Sequence, residues 1–361
     1  MDSITQAALG AVVAGAAAGK RCNAKVLLAG AALGTLPDLD VLIDYGDPIS
    51  DMVKHRGFSH SLFVLLPFSA LLAGVWQQLF ARDWPYRTLF QVIALALVTH
   101  PLLDWFTSYG TQLLWPIPGA YSLSSIFIID PLFTLPLLIA VAAAVRSSER
   151  KALYCTLGVA VSALYLTWTL VAQYQIRAQV EDELAQRNMA AEQIYVTPTP
   201  FNSVLWRVVV LQEETYAEGL VSFFDDSTEI AFIERPLGAW PFAHKPPLLQ
   251  DLITFSDGYI SYTEKDDQLV VADLRMGMAD FLAFQFVFAK RNEFDHWRLS
   301  PIEQLPMQVG ALQRVHALFA RLAGDQSIEA DLCRDCDRTV NVETTVASDD
   351  QSLMPVQAEL P

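Results

Sequence analysis

Six side chains at three places in this sequence are of the types that hold a divalent metal. They are Asp38 and Asp40 in Leu36-Pro-Asp-Leu-Asp40, His55 and His60 in His55-Arg-Gly-Phe-Ser-His60, and His100 and Asp104 in His100-Pro-Leu-Leu-Asp104. All three places are bordered by segments apolar enough to enter a bilayer, where Asp and His are expensive unless paired, hydrated or bound to a metal. His100 and Asp104 stand at i and i+4, so a helix puts them on one face, with Pro101 in its first turn or at a kink. Asp38 and Asp40 converge in an extended turn after Pro37. His55 and His60 straddle Gly57, which is expected to let the backbone fold back and bring the rings together. Imidazole with carboxylate suits zinc; a carboxylate-rich or two-metal version suits manganese or iron.

Such a set implies hydrolysis. A bound divalent ion lowers the pKa of water from about 15.7 to about 7 and polarises the electrophile. Asp40 is the candidate base, and Arg56 the candidate partner for a phosphate or carboxylate of the substrate. Taken singly, two of the motifs also have a plain structural reading: a hydrogen-bonded helix pair for His100 and Asp104, and a helix stop followed by solvated acids for Pro37 to Asp40, whereas few structural roles want the two imidazoles of His55 and His60 together. Asp130 reads as an interfacial cap or as support for the site. His244, His296 and His316 are scattered and receive no role.

These motifs must be positioned by helices. Hydrophobic residues make up 53% of the 361 residues and the mean hydropathy is +0.30, yet the formal charge is -16. Residues 1–175 carry ten Lys/Arg and ten Asp/Glu, so the excess lies in the remainder, with 14 basic and 30 acidic side chains. The expected fold is an α-helical multi-pass membrane domain of about six spans, followed by a mainly antiparallel β (α+β) soluble domain. The expected divisions are a transmembrane site domain at 1–175, a helical connector at 176–195, an acidic β-rich domain at 196–325 and a disordered tail at 326–361.

The first apolar stretch, Ile4 to Gly19, lacks the basic start of a signal peptide and is expected to be retained. Its many Ala and Gly suit a tightly packed inner helix. Val26 to Leu36 is too short to cross a roughly 30 Å core and must continue through Asp38 and Asp40 or break there. Further spans are expected at about Ser61–Phe80, Thr88–Phe106, Ile126–Val145 and Ala152–Gln173. Lys20, Arg21, Lys25, Arg82, Arg87, Arg146, Arg150 and Lys151 then fall in alternate turns, which the positive-inside rule makes cytoplasmic. The three motifs and the acidic domain would face the other side of the membrane.

In the second half, short β-branched or aromatic runs separated by turn residues predict strands at 206–211, 219–224, 229–234, 258–262, 269–273 and 281–288, then a helix near 306–322. The acidic surface argues against direct nucleic-acid binding. Cys22 and Cys155 are isolated in sequence. Cys333-Arg-Asp-Cys336 lacks the second pair of a zinc site and reads as a local disulfide if exported, or as a reduced pair otherwise.

The motifs together resemble the DUF457, YdjM-like family of bacterial inner-membrane proteins described as metal-dependent hydrolases. The resemblance rests on Met1-Asp-Ser-Ile-Thr-Gln-Ala-Ala-Leu-Gly10, Leu36-Pro-Asp-Leu-Asp40, His55-Arg-Gly-Phe-Ser-His-Ser61 and His100-Pro-Leu-Leu-Asp104, and covers about the first 175 residues. It implies an inner-membrane, multi-pass protein with a hydrolase site distantly similar to zinc-dependent phospholipase C, built on Asp38, Asp40, His55, His60, His100 and Asp104. Many members carry Thr-His near the N-terminus where this chain has Thr5-Gln6, one potential ligand fewer. The expected function is membrane-bound, metal-dependent hydrolysis of a phosphoester or other lipid-linked substrate, with membrane lipids as partners. The alternative is a non-catalytic scaffold or a metal-binding, transport-like protein whose polar cluster is structural.

Overall fold

The computed structural model describes residues 1–278, 281–307 and 312–332. Its first half is helical, with α1 (Ser3–Ala18), α2 (Ala24–Thr35), α3 (Pro48–Lys54), α4 (Leu62–Leu79), α5 (Tyr86–Trp105), α6 (Pro131–Arg146) and α7 (Lys151–Gln186). Of these, α4, α5 and α7 are long and apolar enough to cross a membrane, while α2 and α6 are shorter apolar helices. Three of the expected spans thus meet that criterion among the described residues. The 12 residues of α2 reach only about 18 Å. Pro37 then opens a 3-10 turn, Pro37–Leu42, that carries both acids of the first motif.

The inner helix is α1, which packs against α2, α5, α6 and α7. Glycine makes this possible: a Cβ on Gly10 would lie 2.3 Å from the Gly30 carbonyl oxygen, and one on Gly34 would lie 2.5 Å from that of Gln6. The α1 and α2 backbones thus touch directly, the small-residue packing that apolar surroundings favour. Cys22 and Cys155, far apart in sequence, meet beside this helix. Both are buried, and a Cβ on Gly15 would lie 2.5 Å and 3.2 Å from Cys155 Sγ and Cys22 Sγ.

The last apolar segment and the polar stretch after it form one helix. α7 runs for 36 residues, about 54 Å. Its far half presents Ala172, Ile176, Val180 and Leu184 to the core of the β region. That region begins with an antiparallel meander, β1 (Gln193–Pro198), β2 (Leu205–Leu211), β3 (Thr215–Ser222) and β4 (Phe232–Pro236), followed by α8 (Pro247–Phe255). Next come β5 (Ile260–Lys265), β6 (Gln268–Asp273), the short pair β7 (Gly277–Met278) and β8 (Phe281–Leu282), then β9 (Gln285–Arg291), β10 (Trp297–Gln304) and α9 (Leu312–Leu322). The second four-stranded sheet has the order β10-β9-β6-β5.

Alternation along β2 explains how the layers stack. Trp206, Val208 and Val210 face α7, whereas Val209 and Leu211 join Ala272 of the second sheet and Tyr259 and Leu274 that flank its strands. Between the sheets, buried Arg207 donates from Nε to Glu218 at 2.6 Å and from Nη1 to the Leu274 carbonyl at 2.6 Å. β1, β10 and α8 were not expected from the sequence. Proline obscured both strands: Pro198 ends β1, and Pro301 sits where the β9–β10 register shifts, two positions that tolerate a missing N–H. The Cys333/Cys336 pair and the tail from 333 onward lie outside the described residues.

One further contact positions the site. Ile49 and Met52 of α3 are buried in a cluster with Leu249, Leu252 and Phe255 of α8 and Val271, Phe286 and Phe288 of the second sheet. The short helix between the first two motifs is therefore anchored in the β region.

Candidate metal centre

The three motifs converge. The turn after α2 supplies Asp38 and Asp40. α3, capped by Asp47, ends at His55, and the chain reverses into a 3-10 turn, Phe58–His60. The left-handed residue of that reversal is Arg56, at φ 61°, and not Gly57. Gly57 is required for another reason, since a Cβ there would lie 2.8 Å from the Lys54 carbonyl oxygen. His100 and Asp104 lie one turn apart near the end of α5, with Pro101 inside the helix rather than in its first turn.

Asp38, His60, His100 and Asp104 each offer one ligand atom, and these atoms lie within 4.8 Å of one another. The Nε2 atoms of His60 and His100 are 3.1 Å apart. Asp38 Oδ1 is 3.4 Å and 3.2 Å from them, and Asp104 Oδ2 is 3.3 Å from both. A tetrahedron with metal–ligand bonds of about 2.0 Å has edges of about 3.3 Å, so five of its six edges are already near that length.

The protons support the same conclusion. His100 Nδ1 lies 2.5 Å from the Gly34 carbonyl oxygen, which can only accept, so Nδ1 carries a proton and, in the neutral ring, Nε2 holds the lone pair. His60 Nδ1 lies 2.9 Å from Ser59 Oγ, whose own proton goes to Asp40 Oδ2 at 2.6 Å. His60 Nδ1 therefore donates, and with both rings neutral its Nε2 lone pair faces the same point as that of His100. Two imidazole lone pairs and two carboxylate oxygens thus face one point. Asp104 Oδ2 has no hydrogen-bond partner among the described residues although it is fully buried. A bound cation would satisfy all four atoms; without one, a proton on Nε2 of either ring pairs with the carboxylates of Asp38 and Asp104 instead.

Around these four atoms, other side chains fix their orientation. Asp40 is buried; its Oδ1 lies 2.8 Å from His55 Nδ1, and its Oδ2 accepts the Arg56 backbone N–H at 2.9 Å as well as Ser59. Asp40 and His55 therefore form a pair beside the four-atom cluster, with the rings of His55 and His60 6.1 Å apart. Tyr109 packs edge-on against His55 and donates to the Met52 carbonyl at 2.8 Å. Burial pushes its pKa up, which keeps that donor protonated.

Arg56 is not free for a ligand, contrary to expectation. It is 3% exposed, its Nη1 donates to Thr107 at 3.1 Å, its Nε is 3.4 Å from Asp104 Oδ2, and its guanidinium lies over the Tyr109 ring. Asp130 is the cap of α6, accepting from Leu132 and Phe133 and from the Tyr165 hydroxyl. Sequence reasoning missed Ser59 as the link between Asp40 and His60, and treated Gln6 only as a lost ligand. Gln6 is fully buried at the centre and donates to Asp104 Oδ1 at 3.0 Å and to the His100 carbonyl at 3.3 Å; the Met1 amine also contacts Asp104 Oδ1. Because Ser59 holds His60 Nδ1 and also donates to the buried Asp40 carboxylate, Ser59→Ala is expected to weaken divalent-metal affinity by about 10–100-fold and to cost about 1–3 kcal/mol of stability. Competition with a chromogenic chelator measures this.

Comparison with known proteins bears on the helical half. Residues 1–176 match the family model described as YdjM inner membrane protein. YfhP of Bacillus subtilis (strain 168) is 25% identical over 195 residues, 54% of this chain and 58% of that protein. The inner membrane protein YbcI of Escherichia coli (strain K12) is 33% identical over 99 residues, 26% of this chain and 54% of that protein. The chain thus spans somewhat over half the length of these curated relatives. No solved structure matches.

Proposed function

We propose that this chain is a membrane protein of the YdjM inner membrane protein family, whose model its residues 1–176 match, that it binds one divalent ion, zinc in preference to manganese or iron, and that it hydrolyses a phosphoester or other lipid-linked substrate. The observation that carries this reading is the convergence of four candidate ligand atoms from Asp38, His60, His100 and Asp104, with five of their six separations near a tetrahedral edge. A divalent ion held there supplies Lewis acidity, polarising an ester and acidifying water.

The chain's own residues divide the remaining work. Asp38 is the one member of the four whose side chain is only partly buried, at 22% exposure, and so faces an incoming ligand. His55, also 22% exposed at its side chain, holds its Nδ1 against Asp40 and keeps Nε2 available to take or return a proton, an arrangement suited to general acid–base work. Asp40, with both oxygens engaged, orients His55 and Ser59. Arg56 balances the buried charge of Asp104, and Gln6 fixes the other oxygen of that carboxylate.

Six membrane crossings with the site on the extracytoplasmic side remain part of this reading. Lys20, Arg21 and Lys25 follow α1, Arg82 precedes α5, and Arg146, Arg150 and Lys151 join α6 to α7, all at helix ends away from the site motifs. This arrangement supports the orientation. A second reading has its own support: four protein ligands around one ion are typical of closed, structural sites, whereas catalytic sites keep a position open. The decisive experiment measures the metal content of the purified protein, then hydrolysis of phospholipids and polyprenyl phosphates. Zinc together with hydrolysis lost in His55→Ala supports the enzyme. Zinc without hydrolysis of any of these supports the structural reading, and absence of stoichiometric metal defeats both.

A further inference from the structure

The four-atom cluster is closed on most sides. His60, His100 and Asp104 are at most 1% exposed. On the side towards the β region, α3 forms a roof whose Ile49 and Met52 are locked into the core shared with α8 and the second sheet. Beneath the roof, Tyr109 packs edge-on against both His55 and Phe255, closing this side with aromatic rings. The exposed edge of the cluster is Asp38, on the Pro37–Leu42 turn.

The outer surface of that turn is apolar. Leu39, Val41, Leu42 and Ile43 are 55%, 69%, 79% and 40% exposed, and the one charge among them, Asp40, points inward and is buried. Exposed Phe58 follows on the neighbouring turn, and exposed Phe63 and Leu66 continue onto α4, a helix apolar and long enough to cross a membrane. Side chains this apolar, continuous with a membrane-spanning face, are stable when covered by acyl chains and costly in water. Charge resumes only at exposed Asp44. A bilayer covering these side chains would end just beyond Ile43 and leave Asp38 on its lipid side.

We infer that the candidate centre is entered sideways from the bilayer across the Pro37–Leu42 turn, so that its ligand is a membrane-resident amphiphile carrying a phosphoester or phosphate next to long apolar chains, rather than a water-soluble phosphate ester. The statement about the ligand rests on the proposed metal centre; the statement about the entrance does not. The apolar turn guides the chains, and the polar group meets Asp38 at the edge of the cluster.

Two measurements test this in full-length protein reconstituted into phosphatidylcholine vesicles. In the first, nitroxides are attached at Val41→Cys, Leu42→Cys and, as control, Asp44→Cys, with the native cysteines replaced by serine. Collision with oxygen is expected to exceed collision with an aqueous nickel chelate at 41 and 42, and the order to reverse at 44. Preferential nickel access at 42 would overturn the lateral entrance whatever the protein binds. In the second, the visible spectrum of the cobalt-loaded protein is followed. Dioleoyl phosphatidic acid in the vesicles is expected to change it at a concentration at least tenfold below that at which soluble dihexanoyl phosphatidic acid or inorganic phosphate does so. Equal responses to all three would overturn the inference. Failure to take up cobalt would count against the metal centre, and with it the ligand assignment, while the nitroxides still decide the entrance.

Discussion

Asp104→Ala is expected to abolish metal binding and to destabilise the helical region by about 3–5 kcal/mol, the cost of leaving a buried charge without its partner. Asp104 Oδ2 faces the Nε2 atoms of His60 and His100 and the Nε of Arg56, while Oδ1 accepts from Gln6 and contacts the Met1 amine. Removal of this carboxylate leaves the buried Arg56 guanidinium uncompensated and takes away one corner of the cluster. Asp104→Asn separates the two effects, since it keeps the volume and one acceptor but loses the charge. It should fold better than the alanine variant and still lose zinc affinity by more than the roughly 10–100-fold assigned to supporting residues. Elemental analysis and thermal unfolding in detergent provide the readouts; zinc retained at the wild-type level in Asp104→Asn would remove this residue from the ligand set.

The second large effect is expected far from any metal ligand in chemical type. Gly34→Val should prevent close docking of α1 on α2 and disable the site at the same time. A Cβ at Gly34 would lie 2.5 Å from the Gln6 carbonyl oxygen and 3.0 Å from Gly10 Cα, both backbone atoms of α1 that no side-chain rotation can move. The Gly34 carbonyl is also the acceptor that holds His100 Nδ1. Overpacking costs about 1–3 kcal/mol where a core can adjust; here two backbones touch, so the cost belongs at or above the top of that range. Gly74→Ala is the control, because nothing lies within 4 Å of a Cβ placed there. Wild-type stability and zinc binding in Gly34→Val would show that the α1–α2 contact does not position the centre.

The contrast between these residues shows what was legible. Asp38, Asp40, His55, His60, His100 and Asp104 were visible because few structural roles place Asp and His beside apolar segments. The β strands were visible where runs were β-branched and bounded by turn residues, and hidden where Pro198 and Pro301 stood at a strand end and at a register shift. Gln6, Ser59 and the Gly34 carbonyl carry no comparable signal: a glutamine, a serine and a glycine have ordinary roles everywhere, and their importance lies in which atom each one meets.

The sequence alone determined the chemical inventory: an apolar, helix-rich first half with three polar motifs, an acidic β-rich second half, and ligand types suited to a divalent ion. Those are properties of residue type and local spacing. Tertiary structure decided how the inventory is divided. It set Asp38, His60, His100 and Asp104 around one point, drew Asp40 and His55 aside as a pair, turned Arg56 inward to Asp104, and merged the last apolar segment with its connector into α7. These outcomes depend on contacts between residues tens of positions apart, in which the close approach of two glycine-lined helices and the anchoring of α3 in the β region fix distances that no local pattern encodes.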